Sequence, residues 1–295
     1  MKDSFSTFHP IVNFIYFAAV IIFSMFFMHP VFLGISLFSA VTYSIYLNGM
    51  RAVKFNLFAM LPMLVLVAVI NPMVSHAGVT ILLYINDNPL TLESILFGIA
   101  GTVMFISVII WFSCYNAVMT SDKFIYLFGK MIPALSLILS MALRFVPKFK
   151  AQIKVISNAQ KCIGRDVSNG NILARARNGV KIISILITWA LENAIETADS
   201  MRCRGYGLKG RTAFSNYRFD QRDKTVLCII LSLILLLFTG MLLGENTILY
   251  FPAIVIKHMT PFSFVLYIGY AALLLLPIVI NIMEDIKWAR IQSKI

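Results

Sequence analysis

The stretch Ala198–Gly210, ADSMRCRGYGLKG, packs three basic side chains and three glycines into a chain that is 59% hydrophobic. It reads as the end of a helix. Arg202 and Arg204 fall in the last turn, where cations complement the helix dipole. Gly205 stands just past the helix, where glycine supplies the left-handed conformation of a C-terminal cap, and Gly207 follows. Capping plus surface charge is the plain reading of these residues. It leaves open why so apolar a protein carries a long basic segment.

Upstream, the helix is expected to run from about Val180 to Arg204. Glu192, Glu196 and Asp199 share one face at i, i+4, i+7 and are expected to form salt bridges with neighbours, Asp199 with Arg202 among them. Further upstream, PKFKAQIKVISNAQKCIG predicts a second helix. It starts on Pro147, since proline suits a first helical position, and ends at Gly164. Val155, Ile156, Ala159, Cys162 and Ile163 recur at helical spacing between lysines. RDVSNGN after it is turn-like.

The rest of the chain is a membrane protein. Its 295 residues include 24 Phe and only 13% charged side chains, and the mean hydropathy is +0.85. Six apolar runs approach the ~20 residues that cross a bilayer core. They are Ile11–Met28, Val31–Leu47, Leu57–Val74, Ile95–Met119, Val226–Gly244 and Phe262–Met283. Two shorter apolar runs, Met131–Val146 and Ile182–Leu191, are expected to lie against the membrane base or a partner. INDN, between TILLY and PLTLES, reads as the turn of a small β-hairpin. The expected fold is all-α and polytopic, with an N-terminal membrane part (1–119), a cytoplasmic segment (120–224) and a C-terminal membrane part (225–295). No small-residue cleavage site follows the first run, so that run is expected to stay as an anchor.

The net charge of +12 is not spread as a nucleic-acid surface would be. Arg51 and Lys54, the 120–224 segment and the C-terminal Lys287, Arg290 and Lys294 fall on one side if all six runs cross. The positive-inside rule makes that side cytoplasmic, with both termini. Anionic lipid headgroups and an acidic protein partner are the expected counter-charges.

Catalytic signatures are missing. The spans hold almost no acids or histidines of the kind that mark ion coupling. Glu93 sits at a boundary, and His29 and His76 are expected at outer span ends, in water. There is no Walker loop; GLKGRT is too short and in the wrong order. Metal-assisted phosphate chemistry would need clustered carboxylates. Cys114, Cys162, Cys203 and Cys228 form no CxxC pair and are expected to be reduced thiols, with neither disulfide nor zinc. No cofactor is called for. If the protein takes part in active transport, another chain must hydrolyse the ATP. A self-sufficient channel or carrier and a lipid-modifying membrane enzyme are the alternatives.

The string LENAIETADSMRCRGYGLKGRTAFSNYRFDQRD closely resembles the transmembrane T component of energy-coupling factor (ECF) transporters, the family that includes the cobalt-permease Q type. LRFVPKF and NAQKCIGRD match it upstream, in order. The resemblance implies two long, crossing coupling helices, each ending in an Ala-Arg-Gly-like triplet that docks an ABC ATPase subunit. It also implies an apolar face, including Ile182–Leu191, for a substrate-binding S component that takes up a vitamin or a metal ion. Here the second triplet is Cys203-Arg204-Gly205. The first is Cys162-Ile163-Gly164, in which the arginine is missing. Lys161 and Arg165 flank it out of register, and Arg202 supports the second. A guanidinium offers fixed, charge-assisted donors to a carboxylate, and Ile163 offers none, so the two ATPase contacts are expected to differ.

Overall fold

The computed structural model describes residues 3–49, 78–85, 88–129, 132–165, 167–168, 171–208, 217–245, 247–256 and 260–293, with isolated positions between 54 and 70. The expected third span, Leu57–Val74, lies outside the described residues as an element, as does His76.

Two helices open the chain in the same way, α1 (Pro10–Phe26) and α2 (Pro30–Asn48). Each begins on a His-Pro pair. The Nδ1 of His9 accepts from the Ile11 N–H and that of His29 from the Val31 N–H, both at 3.3 Å. Proline fills the first helical position, whose N–H has no partner inside a helix in any case. A hairpin follows, β1 (Ile81–Ile85) against β2 (Asn88–Thr91), antiparallel and closing at Ile85 opposite Asn88. This is the hairpin expected around INDN.

Thr91 then caps α3 (Leu92–Val118), and α4 (Ser121–Gly129), α5 (Pro133–Cys162) and α6 (Ile172–Cys203) come next. The chain ends with α7 (Gln221–Leu242), a two-residue ladder of β3 (Ile248–Leu249) with β4 (Val255–Ile256), and α8 (Pro261–Gln292).

Two compact units result, one of Met1–Lys123 with Tyr217–Ile295 and one of Phe124–Asn216. In the first, α2 packs on α3 and α8, α1 on α3 and α7, and α7 on α8. Four helices, α2, α3, α7 and α8, are long and apolar enough to cross a membrane, and α1 is a shorter apolar helix. The architecture is all-α and polytopic, as the hydropathy pattern predicts. The described residues do not reach the expected count of six.

The core of this unit is aromatic. Tyr16, Phe17, Phe32, Tyr43, Trp111 and Tyr270 are fully or nearly fully buried. The tyrosine hydroxyls find partners: that of Tyr16 donates to the Leu274 carbonyl at 3.1 Å, and that of Tyr270 meets Ser24 at 3.2 Å, whereas the buried Trp111 Nε1 has none among the described residues. Between α7 and α8 the backbones approach closely. A Cβ on Gly240 would stand 2.5 Å from the Leu266 side chain, and one on Gly269 would stand 2.6 Å from that of Leu236. Small residues at helix contacts allow such approach in a membrane.

At one end of the unit a polar network ties distant segments together. Asn281 accepts from the Phe5 N–H at 3.1 Å and donates to Asp3 at 2.6 Å, and the Tyr43 hydroxyl reaches the same carboxylate. Lys123 donates to the carbonyls of Ser6 and Val118. Asp223 accepts from the His9 N–H and closes a capping box at the start of α7.

Several expectations are corrected. Pro147 does not start a helix; it lies inside α5, which begins at Pro133. The apolar run Met131–Val146 and the basic stretch after it form one rod, although Pro147 brings no N–H to bond the carbonyl four residues back. The following helix starts at Ile172 rather than Val180, because the Asn171 side chain caps it at 2.8 Å. α7 begins at Gln221, five residues before the apolar run, on its polar capping box. His29 is not solvated. It is 4% exposed, enclosed by Phe32 and Tyr267.

Candidate docking site at two helix ends

The second unit presents the two triplets on matched scaffolds. At the end of α5, the Gly164 N–H donates to the Lys161 carbonyl at 3.0 Å and the Arg165 N–H to that of Gln160 at 2.9 Å. At the end of α6, the Gly205 N–H donates to Arg202 at 3.0 Å and the Tyr206 N–H to Met201 at 3.1 Å. Both are Schellman caps, with nested 5→2 and 6→1 bonds around a left-handed residue. Gly164 and Gly205 supply that residue, at φ of 75° and 74°.

Cys162 and Cys203 are thus the last helical residues, and Ile163 and Arg204 occupy the same cap position. All four side chains are exposed, as are Lys161, Arg165 and Arg202. The Arg204 guanidinium has no partner among the described residues. The cap alone is not distinctive, because α7 ends on the same bonds at Gly244 and Glu245. What differs is Arg204, since Ile163 on α5 and Leu243 on α7 are both apolar and 65% exposed at the same position.

A cluster of side chains joins the two helices. The Lys148 ammonium donates to Asn193 Oδ1 at 2.6 Å and lies 5.1 Å from the Trp189 ring. Phe149 meets that ring edge-on at 6.0 Å. Nothing in the sequence singles these residues out; only the lone tryptophan on a basic amphipathic helix hints at them.

Cys162 lies 13 residues past Phe149, and Cys203 lies 14 past Trp189. At 1.5 Å per residue each arm is about 20 Å long. The nine-residue connection from 163 to 171 spans at most about 34 Å. It can join α5 to the start of α6 only if the two C-terminal arms diverge by roughly a right angle or more. The triplets then stand about 30 Å apart or farther. All four cysteines are free.

The pair has little core of its own. Ile156 and Ile182 are its buried side chains among the described residues, whereas Val155, Ile183, Ile187, Leu191 and Ile195 are each more than half exposed. Glu192, Glu196 and Asp199 are exposed too and make no ion pair among the described residues. The salt bridges expected of them do not form among the described residues. No group of three or more His, Cys, Asp or Glu side chains that could hold a metal ion occurs among the described residues.

A protein-family model described as CbiQ, cobalt transport protein, matches residues 3–214, which takes in both triplets and most of the membrane unit. The chain belongs to the CbiQ family. Curated relatives of this CbiQ-family chain carry the name energy-coupling factor transporter transmembrane protein EcfT. That of Staphylococcus aureus is 33% identical over 113 residues, 38% of this chain and 42% of the relative. That of Streptococcus thermophilus is 37% identical over 110 residues, 36% and 42%. A longer match, to Leuconostoc gelidum, is 27% identical over 186 residues, 59% and 69%. The chain thus spans about two fifths of the length of the first two relatives. Family and relatives make it a multi-pass membrane component of a transporter.

Proposed function

We propose that the chain is the coupling subunit of an ECF-type ABC importer. In this reading it is not an enzyme. It carries ATP-driven motion from two ATPase subunits to a membrane-embedded S component that binds a vitamin or a transition-metal ion. The segment 120–224 is the coupling element, cytoplasmic together with both termini. Cys203-Arg204-Gly205 docks one ATPase and Cys162-Ile163-Gly164 the other, with Arg202, Lys161 and Arg165 alongside. The observation that carries the reading is Arg204, exposed and without a partner among the described residues at the Schellman-capped end of a long helix, with Ile163 at the same position of the matching helix.

The geometry suits transmission. A rod of α5's length moves its far end when its tip is displaced, and two diverging tips match two separate ATPase subunits. The exposed apolar residues of α5 and α6 give the S component a surface to pack on. Co-expression with the ATPase and S subunits of the same cell, followed by affinity capture of this chain, tests the proposal. Both ATPases and an S subunit should be retained in fixed ratio, and solute uptake should require ATP. Uptake by the chain alone in vesicles would overturn it.

A further inference from the structure

α8 is too long for the bilayer it crosses. Its 32 residues extend about 48 Å, against a hydrocarbon core of about 30 Å. Counted from Pro261, some 20 residues cross the core, so Met283 stands at its edge, and the turns that carry Lys287 and Arg290 run through the headgroup layer and just past it, from where long cationic side chains reach back to phosphates. Trp288 is 61% exposed there, in keeping with the aromatic belt of membrane proteins.

An open recess of about 510 Å³ lies beside this overhang, its described lining being Met283, Ile286, Lys287, Arg290, Ile291 and Ser293. Most of these fall at i, i+3, i+4, i+7, i+8 and so share one stripe of the helix. Met283 and Ile286 line the side toward the core, Lys287 and Arg290 follow, and Ile291 and Ser293 lie past them.

The charges are poised for an anion from outside the chain. Neither Lys287 nor Arg290 has an ion-pair or hydrogen-bond partner among the described residues. The nearby acids are turned to other faces and engaged: Glu284 pairs with Arg222 at 2.7 Å, and Asp285 accepts from the Tyr46 hydroxyl at 3.1 Å. Two carbonyls of the last turn, which would repel an anion, are bonded by Ser293, whose N–H donates to Ala289 and whose hydroxyl donates to Arg290, both at 3.0 Å.

We propose that this recess binds the phosphate headgroup of an anionic phospholipid. Lys287 and Arg290 hold the phosphate, and Met283 and Ile286, on the core side of them, lie along the start of the acyl chains. A soluble phosphate would use the cations and gain nothing from the apolar residues. The choice of a lipid rests on Met283 and Ile286 sharing one stripe with the cations where the helix leaves the core.

Native mass spectrometry of the purified full chain in detergent tests this. Phosphatidylglycerol should be retained in preference to phosphatidylcholine of the same tails, and glycerol 3-phosphate should not displace it. Each cation near an anionic headgroup contributes about fivefold in affinity, so Lys287→Gln with Arg290→Gln should cost roughly thirtyfold. The control Lys150→Gln with Lys154→Gln, which alters charge on α5, should leave retention unchanged. Equal retention of the two lipids by the unaltered chain would overturn the proposal whatever the variants do. So would displacement by glycerol 3-phosphate, or an equal loss in the control.

Discussion

Arg204 and Ile163 occupy one cap position on two helices, so their difference is purely one of side chain. If Arg204 served only the helix end, Arg204→Ala would cost up to about 1 kcal/mol of local stability, and assembly would survive. Buried against an ATPase carboxylate, its removal should cost about 2–5 kcal/mol of binding, a loss of roughly thirtyfold or more. Arg204→Lys should restore part, because an ammonium lacks the bidentate fork. Ile163→Arg should be tolerated or should tighten the complex. ATPase retention at matched expression reads all three, and full retention by Arg204→Ala would remove the docking role. A second residue-scale outcome concerns pH. Burial raises the Asp3 carboxyl above its ordinary 3.8, against lowering bonds from Asn281 and Tyr43. A carboxyl that holds its proton more tightly when folded contributes stability that is full below about 3.8 and is lost as pH rises through the folded value. Asp3→Asn keeps an oxygen for Asn281 and removes the charge. It should flatten the dependence of thermal unfolding on pH above about 4; an unchanged slope would assign it to another group. The arginine at the cap is readable from the sequence alone, because glycine beside it fixes the local geometry. His29 is not: its enclosure depends on Tyr267, 238 residues away, and no local pattern announces a partner at that distance.

At the scale of elements, the two caps differ in how much room they leave. A Cβ on Gly164 would meet nothing within 4 Å, whereas one on Gly205 would come within 3.2 Å of Leu208. Both substitutions by alanine force a left-handed conformation on a side-chain-bearing residue, at about 1–2 kcal/mol. Gly205→Ala should add a few tenths through the contact. Hydrogen exchange at the last turns of α5 and α6 would measure the difference, and equal effects would mean that Leu208 simply moves aside. The divergence of the two arms predicts a covalent outcome as well. Cys162 and Cys203 are held far beyond the ~7 Å Cα limit for a disulfide, so mild oxidation should give no such bond within one chain. An intrachain bond found by peptide mapping would contradict the divergent arrangement. The ends of these helices were legible because glycine marks them. Their beginnings were harder to read. Pro147 resembles a start signal, but Pro133 precedes it with the same credentials, and apolar spacing continues through both. Asn171 is a good cap hidden within a turn-like string.

For the whole molecule, charge is the strongest guide. The basic segments predict that cysteine-reactive labels at 166–171 are reached only from the cytoplasm and labels at 75–88 only from outside. Modification of intact cells with an impermeant reagent tests this, and outside labelling at 166–171 would invert the topology. The membrane unit was legible in outline because hydropathy is a local property of each run. Its internal order, in which α2 faces both α3 and α8, was not, since that is set by aromatic packing between distant segments, as of Tyr43 on Trp111 and of Phe32 on Tyr270. The near absence of a core between α5 and α6 has its own consequence in the cell. To a membrane protease, a copy of this chain that has found no companions looks like one that has failed to fold, since both show apolar side chains that should be covered. Its steady-state level should therefore be set less by its own synthesis than by the supply of the proteins that cover it. Raising its gene dosage alone would yield turnover rather than transporters.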